Sequence, residues 1–429
     1  MIDLALTFYG DDFTGSTDVL EALTLGGLKA ALFLEPPTRD DLRRFEGLRA
    51  AGLAGTGRAM TPERMDRELP PAFARLKELG APLFHYKTCS TFDSSPDMGS
   101  VGRAIDLGAA LYRPRFVPLV VGAPALRRYC LFGNLFATTG GETFRLDRHP
   151  VMSRHPVTPM DEADLRRHLA RQTSRSIGLF DILQLAGAPD DVDRRFEALL
   201  AGRPDVVLFD VLDEPRLAEI GRLLWKHRPP LLAGSSGVEY ALTAHARACG
   251  EHAPACAAPS PGPAGRLLVL SGSCSAVTDG QIAWALGHGF AGLRLDPDAD
   301  EHALVRQAVD ALESGRSLVL YTARGPNDPA VRDARANGER VGLRLGRAAR
   351  RILDAAPLGR LLVAGGDTSG YVARQLGIYA LEMAAPIAPG SPLCRARSRD
   401  DAFDGLEIAM KGGQVGQVNY FGSVLRGAA

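Results

Sequence analysis

Two adjacent acids stand at the tip of the first strand candidate. Leu4–Tyr9 is apolar, and Gly10-Asp11-Asp12-Phe13-Thr14-Gly15 follows before Val19–Leu25 takes up helical spacing. Carboxylates at the carboxyl end of a strand can accept a proton from a substrate hydroxyl, bind polyol hydroxyls or hold Mg²⁺. One acid is enough to cap the helix, and two side by side repel one another, so the pair points beyond capping. Further on, Pro82–Tyr86 runs into Lys87-Thr88-Cys89-Ser90-Thr91, a lysine followed by hydroxyls that can grip an oxyanion-rich substrate. Arg58 lies just past another strand candidate, Ala51–Ala54, where its planar fork suits a carboxylate or a phosphate. A plain polar loop is the alternative for the lysine run, and solvent exposure for Arg58.

A second kind of chemistry is written in glycine-rich turns. Leu361–Ala364 reads as a buried strand, Gly365-Gly366 break it, and Asp367-Thr368-Ser369 open a helix. Such a strand–turn–helix lets backbone N–H groups of the first helical turn donate to an anion, with no side chain in the way. Leu267–Leu270 enters a similar turn, Ser271-Gly272-Ser273-Cys274-Ser275, with Thr278 read as the cap of the following helix. A further glycine turn, Lys411-Gly412-Gly413, carries a lysine that could meet a phosphate. Many glycine-rich turns bind nothing, but several at strand ends together suggest a crevice for a nucleotide. Gly287-His288-Gly289-Phe290-Ala291-Gly292 matches a dinucleotide fingerprint literally, yet it follows a helix and precedes a strand, the reverse of the required order. No Gly-Lys-Ser/Thr tripeptide exists, so a Walker-type loop is absent as well.

The elements that must position these groups alternate between short apolar strands and helices, which predicts an α/β chain with mainly parallel sheets. At 429 residues, two domains are expected. The proline-rich stretch Glu251–Gly265 reads as a linker, giving domains at 1–250 and 266–429 with an active-site cleft between them. Between Tyr129 and Met160 no periodicity is evident, so a long irregular segment serving as lid or substrate wall is expected there. His149 and His155 in that stretch lack partners at metal-ligand spacing and are read as structural; Asp210 is either a site acid or a loop acid. The formal net charge is zero, which gives no electrostatic footprint for nucleic acid or an anionic membrane. The longest apolar run, near Phe116–Leu126, is interrupted by prolines and glycine and is too short to span a bilayer. The six cysteines are scattered with no CxxC pair, which suggests reduced thiols and a cytoplasmic enzyme.

Assembled, these turns resemble the four-carbon acid sugar kinase family. Asp11-Asp12-Phe13-Thr14-Gly15, Ser271-Gly272-Ser273, Gly365-Gly366-Asp367-Thr368-Ser369-Gly370, Pro389-Gly390-Ser391-Pro392-Leu393 and Lys411-Gly412-Gly413 are similar to its signatures. The resemblance implies an acid-sugar-binding first domain, an ATP-binding second domain and phosphoryl transfer from ATP, with Mg²⁺ on the phosphates. Asp12 and Lys87 would be catalytic; Asp11, Asp12, Arg58, Lys87, Thr88, Cys89 and Ser90 would contact the substrate. Ser271, Ser273, Gly365, Gly366, Asp367, Thr368, Gly412 and Gly413 would contact ATP, and metal ligands are not assigned. Where relatives commonly carry Lys-Lys-x-Asp-Ser-Thr-x-Arg, this chain has Tyr86-Lys87-Thr88-Cys89-Ser90-Thr91-Phe92-Asp93, losing two cations and gaining an acid. That pattern, with Ser153–Met160, resembles the branch acting on 3-oxo-isoapionate rather than on 3-oxo-tetronate, threonate or erythronate. A homo-oligomer is allowed. A non-catalytic nucleotide or sugar-acid sensor is the alternative from another class, and an NAD-dependent dehydrogenase is disfavoured by the misplaced fingerprint.

Overall fold

Apolar runs of four or five residues, buried on both faces, dictate the architecture, because strands that read as continuous hydrophobic runs are stable only inside parallel sheets covered by helices. The computed structural model describes residues 3–155, 157–250, 261–296, 300–329, 331 and 338–428. It divides into two compact units, Met1–Ala30 with Glu35–Cys256, and Ala31–Leu34 with Ala257–Ala429. The linker expected at 251–265 falls largely on residues 251–260, which lie outside the described residues.

The first unit carries β1 (Leu6–Gly10), β3 (Ala50–Ala54), β4 (Leu83–Lys87), β5 (Val117–Val120), β9 (Ile177–Phe180), β10 (Val206–Phe209) and β11 (Leu231–Gly234). They pair in the order β3-β1-β4-β11-β5-β10-β9, every pair parallel. The register brings Gly10 beside Ala54 and Lys87, and Lys87 beside Gly234, so four strand ends share one edge. From β1 the chain moves to the β3 side; from β4 it moves to the β5 side. The loops after β1 and β4 therefore part at a topological switch point, where an open α/β sheet forms its crevice.

The stretch 129–160, expected to be irregular, instead holds a three-stranded antiparallel meander of β6 (Arg128–Leu131), β7 (Asn134–Thr139) and β8 (Glu142–Arg145). Its strands are short, and although Leu135 and Ala137 of β7 are buried between half-buried neighbours, the apolar Leu135-Phe136-Ala137 run in sequence shows no alternation of polarity that would have marked them. Asp210 anchors the meander: its carboxylate accepts the N–H groups of Phe132, Gly133 and Ile182, at 2.5, 2.9 and 3.0 Å. It is thus a loop-fixing acid. His149 and His155 are structural as expected; their Nδ1 atoms accept backbone N–H groups of Met152 and Thr158.

The second unit contains β12 (Leu268–Ser271), β13 (Ala291–Arg294), β14 (Leu318–Tyr321), β15 (Arg360–Ala364), β16 (Ile378–Ala388), β17 (Ser391–Ser398) and β18 (Glu407–Lys411). The order is β13-β14-β12-β15-β18-β17-β16-β2, where β2 (Ala30–Phe33) is a strand lent by the early chain. The β13-to-β18 part is parallel, and β16–β17–β18 is antiparallel. A switch point recurs between β12 and β15, whose outgoing connections part in opposite directions. Leu267, Val269, Val319, Leu362, Ile282, Phe421 and Val424 pack as its core.

Arg360, only 1% exposed, staples this unit. It pairs with Glu407 through Nε and Nη2 at 2.8 and 2.5 Å, and donates to the carbonyls of Val424, Leu425 and Gly262. Removing a guanidinium from a buried pair strands its partners. Arg360→Met is expected to cost about 3–5 kcal/mol, read as an earlier urea transition of the second unit; an unshifted midpoint would show that the staple is not needed.

Candidate active site

In the first unit the switch-point loops bring Asp11, Asp12, Arg58, Lys87 and Cys89 together. Asp12 is the N-cap of the helix Phe13–Leu25 and accepts the Gly15 N–H at 3.0 Å. Capping does not exhaust it: Oδ2 also accepts from Thr14 Oγ1 at 2.9 Å and from Arg58 Nη2 at 2.6 Å. Burial alone would raise its pKa, but Arg58 and Lys87 outweigh this and hold Asp12 below the usual carboxylate range, so it is ionised. Asp11 has the opposite environment. It is 2% exposed, its Oδ1 has no hydrogen-bond partner among the described residues, and burial with the neighbouring Asp12 charge pushes it up to about 7.

Lys87, buried at the end of β4, stays an ammonium: burial works against the charge, but Asp18, Asp12 and Asp11 more than restore it. The approach is close. A Cβ on Gly15 would lie 2.1 Å from Asp12 Oδ1 and 2.3 Å from Lys87 Nζ, so only glycine admits both groups here. Arg58 is likewise held charged by Asp12 against the cost of burial, and its Nη1 reaches Asp93 Oδ2 at 3.8 Å. Asp93 in turn accepts from Thr91 Oγ1 at 2.6 Å, and Thr91 Oγ1 lies 3.1 Å from Cys89 Sγ. Burial and Asp93 push the Cys89 thiol up to about 11, so it is a neutral thiol and not a nucleophile. Thr88 is fully buried, with its hydroxyl donating to the Cys89 carbonyl, and Ser90 is half-buried in the same loop.

Two acids of this cluster, Asp18 and Asp93, were absent from the expected site. Asp18 lies three residues past Gly15 and four past Thr14, so it shares their helix face, and that spacing was the available signal. Asp93 appeared only as a departure from the family pattern. Behind them, His85 Nδ1 and Glu239 Oε1 are 2.6 Å apart, both side chains wholly buried, and His85 Nε2 is 3.2 Å from the Gly234 carbonyl. Because that carbonyl only accepts, Nε2 carries a proton.

The second unit gathers its turns in the same way. Register aligns Ser271 with Ala364, and Ala364 with Lys411, so the three turns leave adjacent strand ends. Gly365 has φ +128°, a conformation open to glycine, and precedes the helix Gly366–Gln375. Thr368 is nearly buried and Asp367 exposed at the start of that helix. Ser275, not Thr278, caps the helix Ala276–Gly287 by accepting the Thr278 N–H. Thr278 is thereby freed to meet the turn: its Oγ1 accepts from Ser273 Oγ at 3.0 Å and donates to the Gly413 carbonyl at 3.0 Å. Ser271 Oγ is buried and without a partner among the described residues. Gly412 and Gly413 follow Lys411, whose side chain is fully buried. Among the described residues no group of three or more His, Cys, Asp and Glu side chains could hold a metal ion, and no helix is long and apolar enough to cross a membrane.

Carboxylates and cations at one switch point, and amides, hydroxyls and a lysine at another, have a precedent. Residues 6–242 match the Sugar-binding N-terminal domain family and residues 268–421 the Nucleotide-binding C-terminal domain family. The chain is 50% identical to a 3-oxo-isoapionate kinase of Paraburkholderia graminis, over 99% of this chain and 94% of that protein. It is 31% identical to a 3-oxo-tetronate kinase of Burkholderia multivorans, over 97% of this chain and 95% of that protein. In fold it is similar to a solved protein of Salmonella typhimurium LT2, with TM-score 0.79 and 24% identity over 98% of each chain. Haemophilus influenzae protein HI1011 is similar too, with TM-score 0.73 and 23% identity over 97% of this chain and 98% of that one. With both domain matches in sequence order and relatives aligned from end to end, this chain belongs to the four-carbon acid sugar kinase family.

Proposed function

We propose that the protein is an ATP-dependent kinase phosphorylating a hydroxyl of a small sugar acid, with 3-oxo-isoapionate as the favoured substrate and its 4-phosphate as product. The observation that carries the reading is the ionised Asp12 held between Arg58 and a helix N-terminus, beside the Lys87 ammonium. The higher identity to the 3-oxo-isoapionate kinase, against 31% for a 3-oxo-tetronate kinase, supports the branch. A 3-oxo-tetronate, threonate or erythronate kinase is the neighbouring alternative.

Phosphoryl transfer asks mainly for positioning and charge neutralisation. In this reading Asp12, tied at Oδ2 to Arg58 and Thr14 and at Oδ1 to the Gly15 N–H, presents the remaining lone pair of Oδ1 to the acceptor hydroxyl and fixes its direction. A carboxylate of low pKa is a weak base, which suits a transition state in which the hydroxyl proton leaves late. Lys87 and Arg58 receive the substrate carboxylate. Asp11, pushed up to about 7, is largely neutral at moderately acidic pH and therefore does not repel that anion. Ser271, Ser273, Gly365, Gly366, Thr368, Gly412 and Gly413 offer hydroxyls and amides to the polyphosphate, with Asp367 at the helix start. Mg²⁺ would arrive on the phosphates and neutralise them, since no cluster of protein ligands is built for it among the described residues. A non-catalytic sensor would have no use for a lysine buried among three acids.

Release of ADP, coupled to an optical readout and run against branched five-carbon and linear four-carbon acids, tests the assignment; absence of turnover with every acid would refute it. Asp12→Asn should lower kcat/KM by about 10²–10⁴-fold while leaving ADP affinity nearly unchanged, and wild-type turnover in that variant removes Asp12 from the chemistry.

The raised pKa of Asp11 has a stability consequence. Its folded value near 7 exceeds the ordinary 3.8, so the folded state binds more protons and stability falls as pH rises between these values. Asn mimics the protonated form. Asp11→Asn is therefore expected to raise the melting temperature most at pH 8 and by a clearly smaller amount at pH 5; an equal effect at both would show that Asp11 does not titrate in this window.

A further inference from the structure

Of the two buried cations among the described residues of the second unit, Arg360 is paired with Glu407, and Lys411 is not used by the reading above. Lys411 ends β18 and is wholly buried, and its Nζ donates to Thr278 Oγ1 at 2.9 Å and to the Gly413 carbonyl at 3.5 Å. Both acceptors are neutral. They engage two of the three hydrogens an ammonium carries, the number a neutral amine has. Among the described residues no carboxylate pairs with it. Asp279, on the helix carrying Thr278, is paired with Arg324; Asp367, on the helix after β15, is exposed; Glu407, at the far end of β18, is taken by Arg360; Arg397 of β17 is paired with Glu382. This contrasts with Lys87, which three acids surround.

A buried ammonium with a free hydrogen and no counter-ion is costly unless an anion comes to it. The anion has an obvious approach: Ser271 Oγ lacks a partner, and the Gly365 and Gly413 turns leave room for no side chain. Resting on the kinase reading, we propose that Lys411 is the protein's own counter-charge for the nucleotide polyphosphate, turning from a neutral amine into an ammonium as the nucleotide binds. Its third hydrogen then points to a phosphate oxygen while the other two keep the Thr278 and Gly413 turns braced. The proton comes from solvent, so nucleotide binding and proton uptake are one event.

The environment agrees in sign. Burial alone, with no charged neighbour, brings Lys411 down to about 7 from 10.5. A phosphate beside it raises that value again. Between the two values binding takes up a proton, so affinity falls as pH rises from the lower to the upper. ADP itself is fully ionised at pH 8, its last phosphate pKa being about 6, so a proton gained there goes to the protein.

Calorimetric titration of the full chain with ADP, in buffers of different ionisation enthalpy from pH 6 to 9, measures this directly. Wild type is expected to take up close to one proton per ADP near pH 8 and about half a proton at pH 7. Lys411→Met should bind ADP about 10- to 100-fold more weakly at pH 7 and show no uptake. Wild-type affinity or an unchanged uptake curve in that variant overturns the proposal. Should Lys411→Met fail to fold by circular dichroism, the wild-type curve decides: ADP binding without uptake overturns the Lys411 role and leaves the kinase reading intact. If wild type binds ADP at no pH, the kinase reading and this inference fall together.

Discussion

An ammonium and several carboxylates cannot share a buried corner unless each charge is answered, and the first unit is built around that constraint. Lys87 keeps its proton because Asp18, Asp12 and Asp11 surround it, and Asp12 keeps its charge because Arg58 and Lys87 face it. The answer is uneven across the acids. Burial pushes Asp11 and Asp18 up, so they can be neutral where Asp12 is ionised. Such separation of neighbouring titrations is what acid–base sites use to assign different work to identical side chains. Gly15 is part of the same constraint, since any side chain there would collide with both Asp12 and Lys87.

The second unit treats charge in the contrary manner. Its turns expose amides and hydroxyls, and its buried lysine has neutral partners. Sites that bind a compact organic acid and sites that bind a polyphosphate differ in this respect: the former must balance a single negative charge, the latter must leave positive potential unspent. Identical fold logic serves both. In each unit two neighbouring parallel strands send their chains in opposite directions, and the loops that part there carry the polar groups.

Structural histidines and acids surround these sites without entering them. The Asp210 clamp is engaged with backbone, and His85 with the Gly234 carbonyl and Glu239 Oε1, whereas Glu239 Oε2 is buried without a partner among the described residues. The motif glycines and acids nevertheless stood out in the sequence because strand, turn and helix start follow each other within a dozen residues. The antiparallel meander at β6–β8 did not, since its short strands alternate in burial at β7 without alternating in polarity along the sequence. Asp18 was overlooked because its significance depends on a lysine nearly seventy residues away along the chain, which no helical spacing reveals.

What the sequence determined by itself was local: which runs would be strands, where glycines would let backbone approach an anion, and that Asp11, Asp12, Arg58 and Lys87 would stand at strand tips. Hydrophobic period and turn chemistry are short-range properties, so a linear reading reaches them. Strand order is not. Only the tertiary structure decided that β1 lies between β3 and β4, that Arg58 reaches Asp12, that Asp11 is shut away while Asp12 is tied down, and that Lys411 is buried against the neutral Thr278 and Gly413. Those outcomes depend on which distant segments share a dielectric environment, and burial and Coulomb interaction act through space rather than along the chain.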